Sequence, residues 1–410
     1  MENYGFEISS FSTWPPSPLL ISPRFVLQFY AVIQFGDVTV EQRNSSKVWF
    51  TDMRAPAGTS LLVKLTRLMQ KAGMDSIDFK NKYVAVKMHF GEQGNLSFLR
   101  PNYARTVVDM VRSLGGKPFL TDCSTLYPGS RKNALEHLYT AYENGFSPFS
   151  TGCHVIIADG LKGTSETRVP LNCQYVKEAK IGAAIMDADI IISLNHFKGH
   201  ELTGFGGALK NLGMGCASRA GKMEQHSDGT PAVDQRSCTG CGTCIKNCGQ
   251  SAITLNQKKA SINESKCVGC GRCICACPAN AIQAPFDASN KAVSYKIAEY
   301  ALAVVKGRPH FHISLVIDVS PYCDCHGDND TPVVSDVGMF ASFDPVALDR
   351  ACIDAVNKQP ATAGSILDQR ARTHHDHLTD VHPTTDWHCC LEHAEKIGLG
   401  TVSYELITVK

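Results

Sequence analysis

The stretch Tyr83-Val84-Ala85-Val86-Lys87-Met88, then Pro101 opening a segment that carries Val107, Val108, Val111 and Leu114, then Gly115-Gly116 and Pro118-Phe119-Leu120-Thr121, decides the fold. An apolar run of strand length gives way to apolar residues at helical spacing. Proline suits the first helical turn, where its missing N–H has no partner to lose, and the glycine pair stops the helix. The next short apolar run is a second strand, and strand, helix, strand is the unit of a parallel sheet.

The same alternation extends outward in both directions. Val48-Trp49-Phe50-Thr51 is expected to be a strand, and Ser60 to Met74 a helix with Leu61, Leu62, Leu65, Leu68 and Met69 on one stripe. His154 to Ala158 and Asp189 to Leu194 read as buried parallel strands. Tyr295 to Val305 reads as a helix, His312 to Val319 as a strand, and Asp344-Pro345 opens a helix through Lys358. The expected fold class is α/β, a mostly parallel sheet with helices on both faces, whose ligands gather at the carboxyl ends of its strands.

Between these halves stand Cys238-x2-Cys241-x2-Cys244-x3-Cys248 and Cys267-x2-Cys270-x2-Cys273-x3-Cys277, an internal repeat offset by 29 residues. That spacing belongs to two 4Fe-4S clusters, three ligands coming from one run and the fourth from the other. Cys238, Cys241, Cys244 and Cys277 are expected to hold one cluster, and Cys267, Cys270, Cys273 and Cys248 the second. A disulfide framework suits a short secreted chain rather than one of 410 residues. A zinc site takes its ligands from two separated pairs. Gly249 stands where the first run's proline would be, and Cys275 is an extra thiol outside the pattern. The expected organisation is a poorly ordered, proline- and serine-rich tail over 1–46, an α/β domain over 47–230 and 291–410, and an inserted ferredoxin-like α+β module over 231–290.

Forty basic and thirty-nine acidic residues give a net charge of +1, so a polyanion such as nucleic acid is not an expected partner. The apolar stretch from Phe25 to Phe35 contains Gln28 and Gln34 and is too short to span a bilayer. No membrane partner and no export signal are expected. Ten cysteines beyond the eight in the repeat fit a reducing, cytoplasmic location.

The densest polar stretch runs from Asn195 to Asn211, directly after the strand ending at Leu194. His196, Lys198, His200 and Lys210 offer acid–base groups and anion binders there, and its glycines let a ligand reach backbone amides. His89 and Glu92, after the Tyr83 strand, are expected opposite them. Asp122, Asp159 and Arg100 lie near the same rim, where each also suits a cap or turn. Cys323, Cys325 and His326, with Cys216 as a fourth group, could bind an additional metal ion, do redox work, or be surface thiols. The run from His374 to His377, with His382, His388 and His393, reads as a solvated linker.

The block H-F-K-G-H-E-L-T-G-F-G-G-A-L-K-N-L-G-M-G-C at 196–216, with V-K-M-H-F-G-E at 86–92, C-D-C-H-G at 323–327 and F-A-S-F-D-P-V-A-L-D at 340–349, resembles the iron-sulfur branch of the family catalogued as domain of unknown function 362. The resemblance covers most of residues 47–410 and implies a ferredoxin insert in a larger α/β domain, without supplying a reaction. H-E-L-T-G-F-G-G-A-L-K at 200–210 is also similar to a signature of the nickel-pincer lactate racemase family, which would imply a metal ligand at His200 and a cofactor tether at Lys210; Thr203 replaces that family's alanine.

Taken together, the expected function is electron transfer by two 4Fe-4S clusters to or from a site for a small anionic substrate on the α/β domain. The partner would be a redox protein or a small-molecule electron donor or acceptor. A ferredoxin subunit that only docks a partner enzyme, and a metal-dependent isomerase or lyase with structural clusters, are the alternatives.

Overall fold

In a computed structural model of the chain, which describes residues 45–127, 129–227, 230–285, 288–370 and 375–410, eight strands form one sheet. They are β1 (Ser46–Asp52), β2 (Tyr83–Lys87), β3 (Lys117–Asp122), β4 (Val155–Ile157), β5 (Ile190–His196), β6 (His310–Val316), β7 (Gly338–Ser342) and β8 (Tyr404–Thr408). Their order across the sheet is β8-β1-β7-β6-β5-β2-β3-β4. Neighbours pair in parallel except at β7, which runs antiparallel to β1 and to β6. The α/β reading is thus what the chain adopts.

Period-two alternation sends side chains from each central strand to two different layers. Val84, Val86, Ile190, Ile192 and Leu194 pack with Leu65, Leu68 and Met69 of α1 (Leu61–Lys71) and with Val107, Val108 and Val111 of α2 (Pro101–Ser113). Ala85 and Ile191 point the other way. They join Leu209 and Leu212 of α3 (Ala208–Cys216), Ile297 and Val304 of α5 (Asn290–Val305), and Val346 and Ile353 of α6 (Pro345–Asn357). Between α3 and α5 lies the short α4 (Arg219–His226). Ser60 caps α1 by accepting from Val63 N, and Asp344 caps α6 by accepting from the amides of Val346 and Ala347, satisfying donors that a first helical turn leaves unpaired.

Chain order sets where a ligand can sit. From β2 the chain proceeds to β3 and β4 on one side, whereas β5 and β6 follow on the other, so the connections diverge between β2 and β5. Such a switch point opens a crevice at the carboxyl ends of the strands.

Several expectations are corrected. The tail assigned to 1–46 lies outside the described residues as far as 44, and β1 already begins at Ser46. Strands β7 and β8 were not among the expected elements; each is five residues long, and β8 is a half-exposed edge strand. His374 is outside the described residues, but His377, His382 and His393 do not lie in a solvated linker. They are buried, and their Nε2 atoms meet Gln359 O, Pro321 O and Glu299 Oε1 at 2.8, 2.6 and 2.9 Å. Among the described residues no helix is long and apolar enough to cross a membrane.

One buried carboxyl makes the fold sensitive to pH. Asp349 of α6 accepts from Ala208 N at 2.7 Å and Leu209 N at 2.9 Å at the start of α3. Burial nevertheless pushes it up to about 7. A carboxyl whose folded value exceeds its unfolded one, about 3.9, stabilises fully below the unfolded value and loses that contribution as pH rises through 7. The loss is roughly 4 kcal/mol. Asp349→Asn should therefore flatten the stability profile between about pH 4 and pH 8. Melting curves at both ends of that interval test it, and an unchanged slope in the variant would sink the assignment.

Candidate functional site

A cavity of about 260 Å³ occupies the carboxyl edge at the switch point. Lys87 and His89 enter it from the end of β2, Asp122 from β3, and Leu194 and His196 from β5; the Lys198–His200 and Gly204–Gly206 hairpin contributes Lys198, His200 and Gly206. Helix α3 supplies Lys210 and Asn211, α4 supplies Lys222 and His226, and the turn after β6 supplies Cys323, Cys325 and His326. Residues far apart in the chain meet here because parallel strands end at one edge.

The cations of this cavity are mostly paired. Lys87 Nζ lies 2.9 Å from Asp122 Oδ1 and donates to Asn211 Oδ1 at 2.6 Å. Burial opposes the Asp122 charge, but the Lys87 ammonium outweighs it and keeps the carboxyl well below the usual range. Arg131 donates to Glu92 Oε2 at 3.0 Å and to the Tyr127 hydroxyl at 2.9 Å, and sits 2.9 Å from His89 Nε2. Burial, then the Arg131 charge, drive His89 far below its ordinary value, so it is a neutral ring. Lys222 is different: it donates to the carbonyl oxygens of Ala217 at 2.6 Å and Gly215 at 3.4 Å rather than to a carboxylate.

Expected residues divide accordingly. His89, His196, Lys198, His200, Lys210, Cys323, Cys325 and His326 converge on the cavity. Glu92 does not line it; its carboxylate turns away to hold Arg131 and the Ser130 amide. Cys216 does not join Cys323 and Cys325 either, because its buried thiol faces Asn211 O within α3. Asp159 accepts from the amide and hydroxyl of Ser124, the cap-like role that was the alternative for it. Arg100 is exposed and reaches Asp318 at 3.6 Å. His196 and Lys198 share Asp324, at 2.9 Å each. Unforeseen were Arg131, Lys222 and His226, three positions in segments with no motif to flag them.

The turn at Cys323 is where reactive groups crowd. A nitrogen of His200 and the sulfurs of Cys323 and Cys325 lie within 4.8 Å of one another, as do donor atoms of Glu201, Cys325 and His326. Lys210 Nζ donates to Cys323 Sγ at 3.2 Å. The Cys325 thiol hydrogen bond, with Lys210 and His200, holds Cys323 well below an ordinary thiol despite burial, while Cys325 is pushed up as the donor.

A second, smaller hollow is walled by Cys238, Cys241 and Cys244 together with Cys277 from the other run. Both runs are built alike. Gly242 and Gly271 take φ of 72° and 64° before short helices, and Cys248 Sγ and Cys277 Sγ each accept, at 3.3 Å, the amide four residues on. A Cβ at Gly240 would collide with the Lys258 carbonyl. Burial pushes the Cys267 thiol up, and Cys270 with Cys248 of the first run adds to it.

The architecture and the cavity define an α/β protein with a ligand-sized site at the switch point of its sheet. The chain belongs to the family described as Domain of unknown function, DUF362, which matches residues 84–354. A thylakoid-associated protein of Synechocystis sp. is 27% identical over 169 residues, 40% of this chain, and the chain spans 48% of that relative's length. Among solved structures, the lactate racemase apoprotein from Thermoanaerobacterium thermosaccharolyticum is 12% identical with a TM-score of 0.33, covering 67% of this chain and 51% of its own. A protein from Thermotoga maritima is 13% identical with a TM-score of 0.35, covering 71% and 57%.

Proposed function

We propose that the protein is an electron-transfer protein whose residues 231–290 form a ferredoxin-type module holding two 4Fe-4S clusters, and that these exchange electrons with a substrate in the cavity. The donor sets suit the group. Four sulfurs surround one hollow, backbone amides point at cysteine sulfurs, and glycine leaves room for the chain to pass close by. A cubane bound there would store one electron; the chain's part is to hold it and to set its surroundings.

The observation that carries the reading is the wall between the two sites. Leu126 lines the cavity and also packs in the apolar cluster of Cys238, Cys244, Cys273 and Cys277. On α4, Lys222 and His226 face the cavity, while Met223 packs with those cysteines and Arg219 lies against Gly271. One layer of side chains thus separates the second cysteine run from the substrate space. Within that space Lys222 and Lys210 would hold an anion, and His200 would supply hydrogen bonding.

Protein purified and reconstituted without oxygen is expected to contain about eight iron and eight sulfide per chain. Fewer than about four iron would overturn the reading. The grouping of His200, Cys323 and Cys325 favours a second reading, a metal-dependent isomerase or lyase. One equivalent of a non-iron metal, retained by the wild type and lost in His200→Ala, would select it.

A further inference from the structure

The paired thiols beside Lys210 stand outside the two cysteine runs, and although they group with His200, their surroundings suit a thiolate better than a metal cation. His200 Nδ1 accepts from Leu202 N at 3.1 Å and Thr203 N at 3.3 Å, which leaves the ring proton on Nε2. Neither nitrogen then offers a free lone pair. An ammonium group donating to Cys323 Sγ would also stand next to any metal cation bound there, where like charges repel. The same ammonium suits a thiolate very well, because the thiolate is the reactive form of cysteine and a neighbouring cation stabilises it.

We propose that Cys323 and Cys325 are a dithiol–disulfide couple that collects two electrons and delivers them to a small anionic disulfide in the cavity. The inference rests on the electron-transfer reading above for the source of those electrons. Geometry supplies the other terms. Cys323 lies at the start of a turn closed by His326 N to Cys323 O at 3.2 Å, so the two thiols sit on one tight bend. Cys323 is 1% exposed and lines the cavity, a depth at which a small molecule reaches it and the disulfide of a folded protein does not. Lys210 and Lys222 give the cavity its preference for a negative charge.

The chemistry balances in three steps. The Cys323 thiolate attacks one sulfur of the substrate disulfide, forming a mixed disulfide and releasing one substrate thiolate. Cys325 then loses its proton and attacks the Cys323 sulfur, expelling the second substrate thiolate. That proton has an exit through Glu201 and His326, which hydrogen-bond each other at 2.8 Å beside Cys325, with His326 at the surface. Finally the Cys323–Cys325 disulfide would regain two electrons, and one proton on Cys325, to restore the thiolate–thiol pair; clusters held by Cys238, Cys241, Cys244 and Cys277 and by Cys267, Cys270, Cys273 and Cys248 would supply one electron each. Two single-electron carriers and one two-electron couple match in number.

The test uses the anaerobically prepared holoprotein, with 3,3′-dithiodipropionate as the dianionic disulfide and cystamine as its dicationic counterpart. Peptide mass mapping is expected to show the 323–325 peptide two hydrogens lighter after the dianion, with cystamine slower by about tenfold or more. In Cys325→Ser the reaction should stop at the mixed disulfide on Cys323, a readout that needs no catalytic turnover. Photoreduction of the clusters should reopen the disulfide. Clusters that reduce normally while neither reagent closes the thiol pair would overturn the couple itself. A disulfide that forms but survives cluster reduction would instead overturn the electron-transfer link. Equal rates for the two reagents would remove the anionic substrate class, and a metal retained on these thiols would replace the proposal.

Discussion

Replacing Cys277 by Ser is expected to abolish the cluster whose other three cysteines lie in the opposite run, leaving the cluster of its own run in place. Cys277 stands with Cys238, Cys241 and Cys244 around one hollow, although it follows Cys267, Cys270 and Cys273 in the chain. Iron should fall from about eight to about four per chain. The remaining signal should then be lost on combining the change with Cys270→Ser, and hardly altered further by Cys241→Ser. Iron and sulfide analysis with EPR of the reduced protein reads this directly. If Cys277→Ser and Cys241→Ser prove additive in removing two different clusters, the crossed arrangement is wrong.

The second large effect is expected at Asp324, between the two thiols. Its carboxylate is fully buried and receives both His196 Nδ1 and Lys198 Nζ. Burial opposes the charge, yet His196 and Lys198 prevail and hold the carboxyl well below its usual range. A carboxyl lowered in this way stabilises above its unfolded value of about 3.9 and ceases to do so as pH falls through the folded value. Asp324→Asn leaves the buried Lys198 ammonium without its counter-charge and with one neutral oxygen to share with His196, a change of the kind that costs about 3–5 kcal/mol. Denaturant unfolding near neutral pH should show it, and a loss below about 1 kcal/mol would mean that the pair is better solvated than its geometry implies. Because the Asp324 carboxylate ties the turn to His196 and Lys198, the same change should loosen the turn that carries Cys323 and speed the alkylation of Cys325.

The strand and helix pattern was legible where a segment is long and buried. Tyr83–Lys87 and Pro101–Ser113 show their apolar faces in the chain itself, since burial on the sheet demands it. Short, half-exposed Tyr404–Thr408 carries no such demand and left no trace. The site was half legible. His200 and Lys210 advertise themselves in a glycine-rich block after a strand, but the function of Glu92 depends on Arg131, which lies 39 positions away.

By itself, the sequence determined the class of the fold, the edge of the sheet at which polar residues gather, and the repeat of eight cysteines, because each of these is a local pattern of spacing. Only the tertiary structure decided which charges cancel, that Cys216 stands apart from Cys323, that Lys222 faces the cavity while Met223 faces the cysteines, and that Lys210 reaches a thiol 113 residues away. Those are contacts across the sheet edge, and no periodicity along a chain encodes which loop meets which.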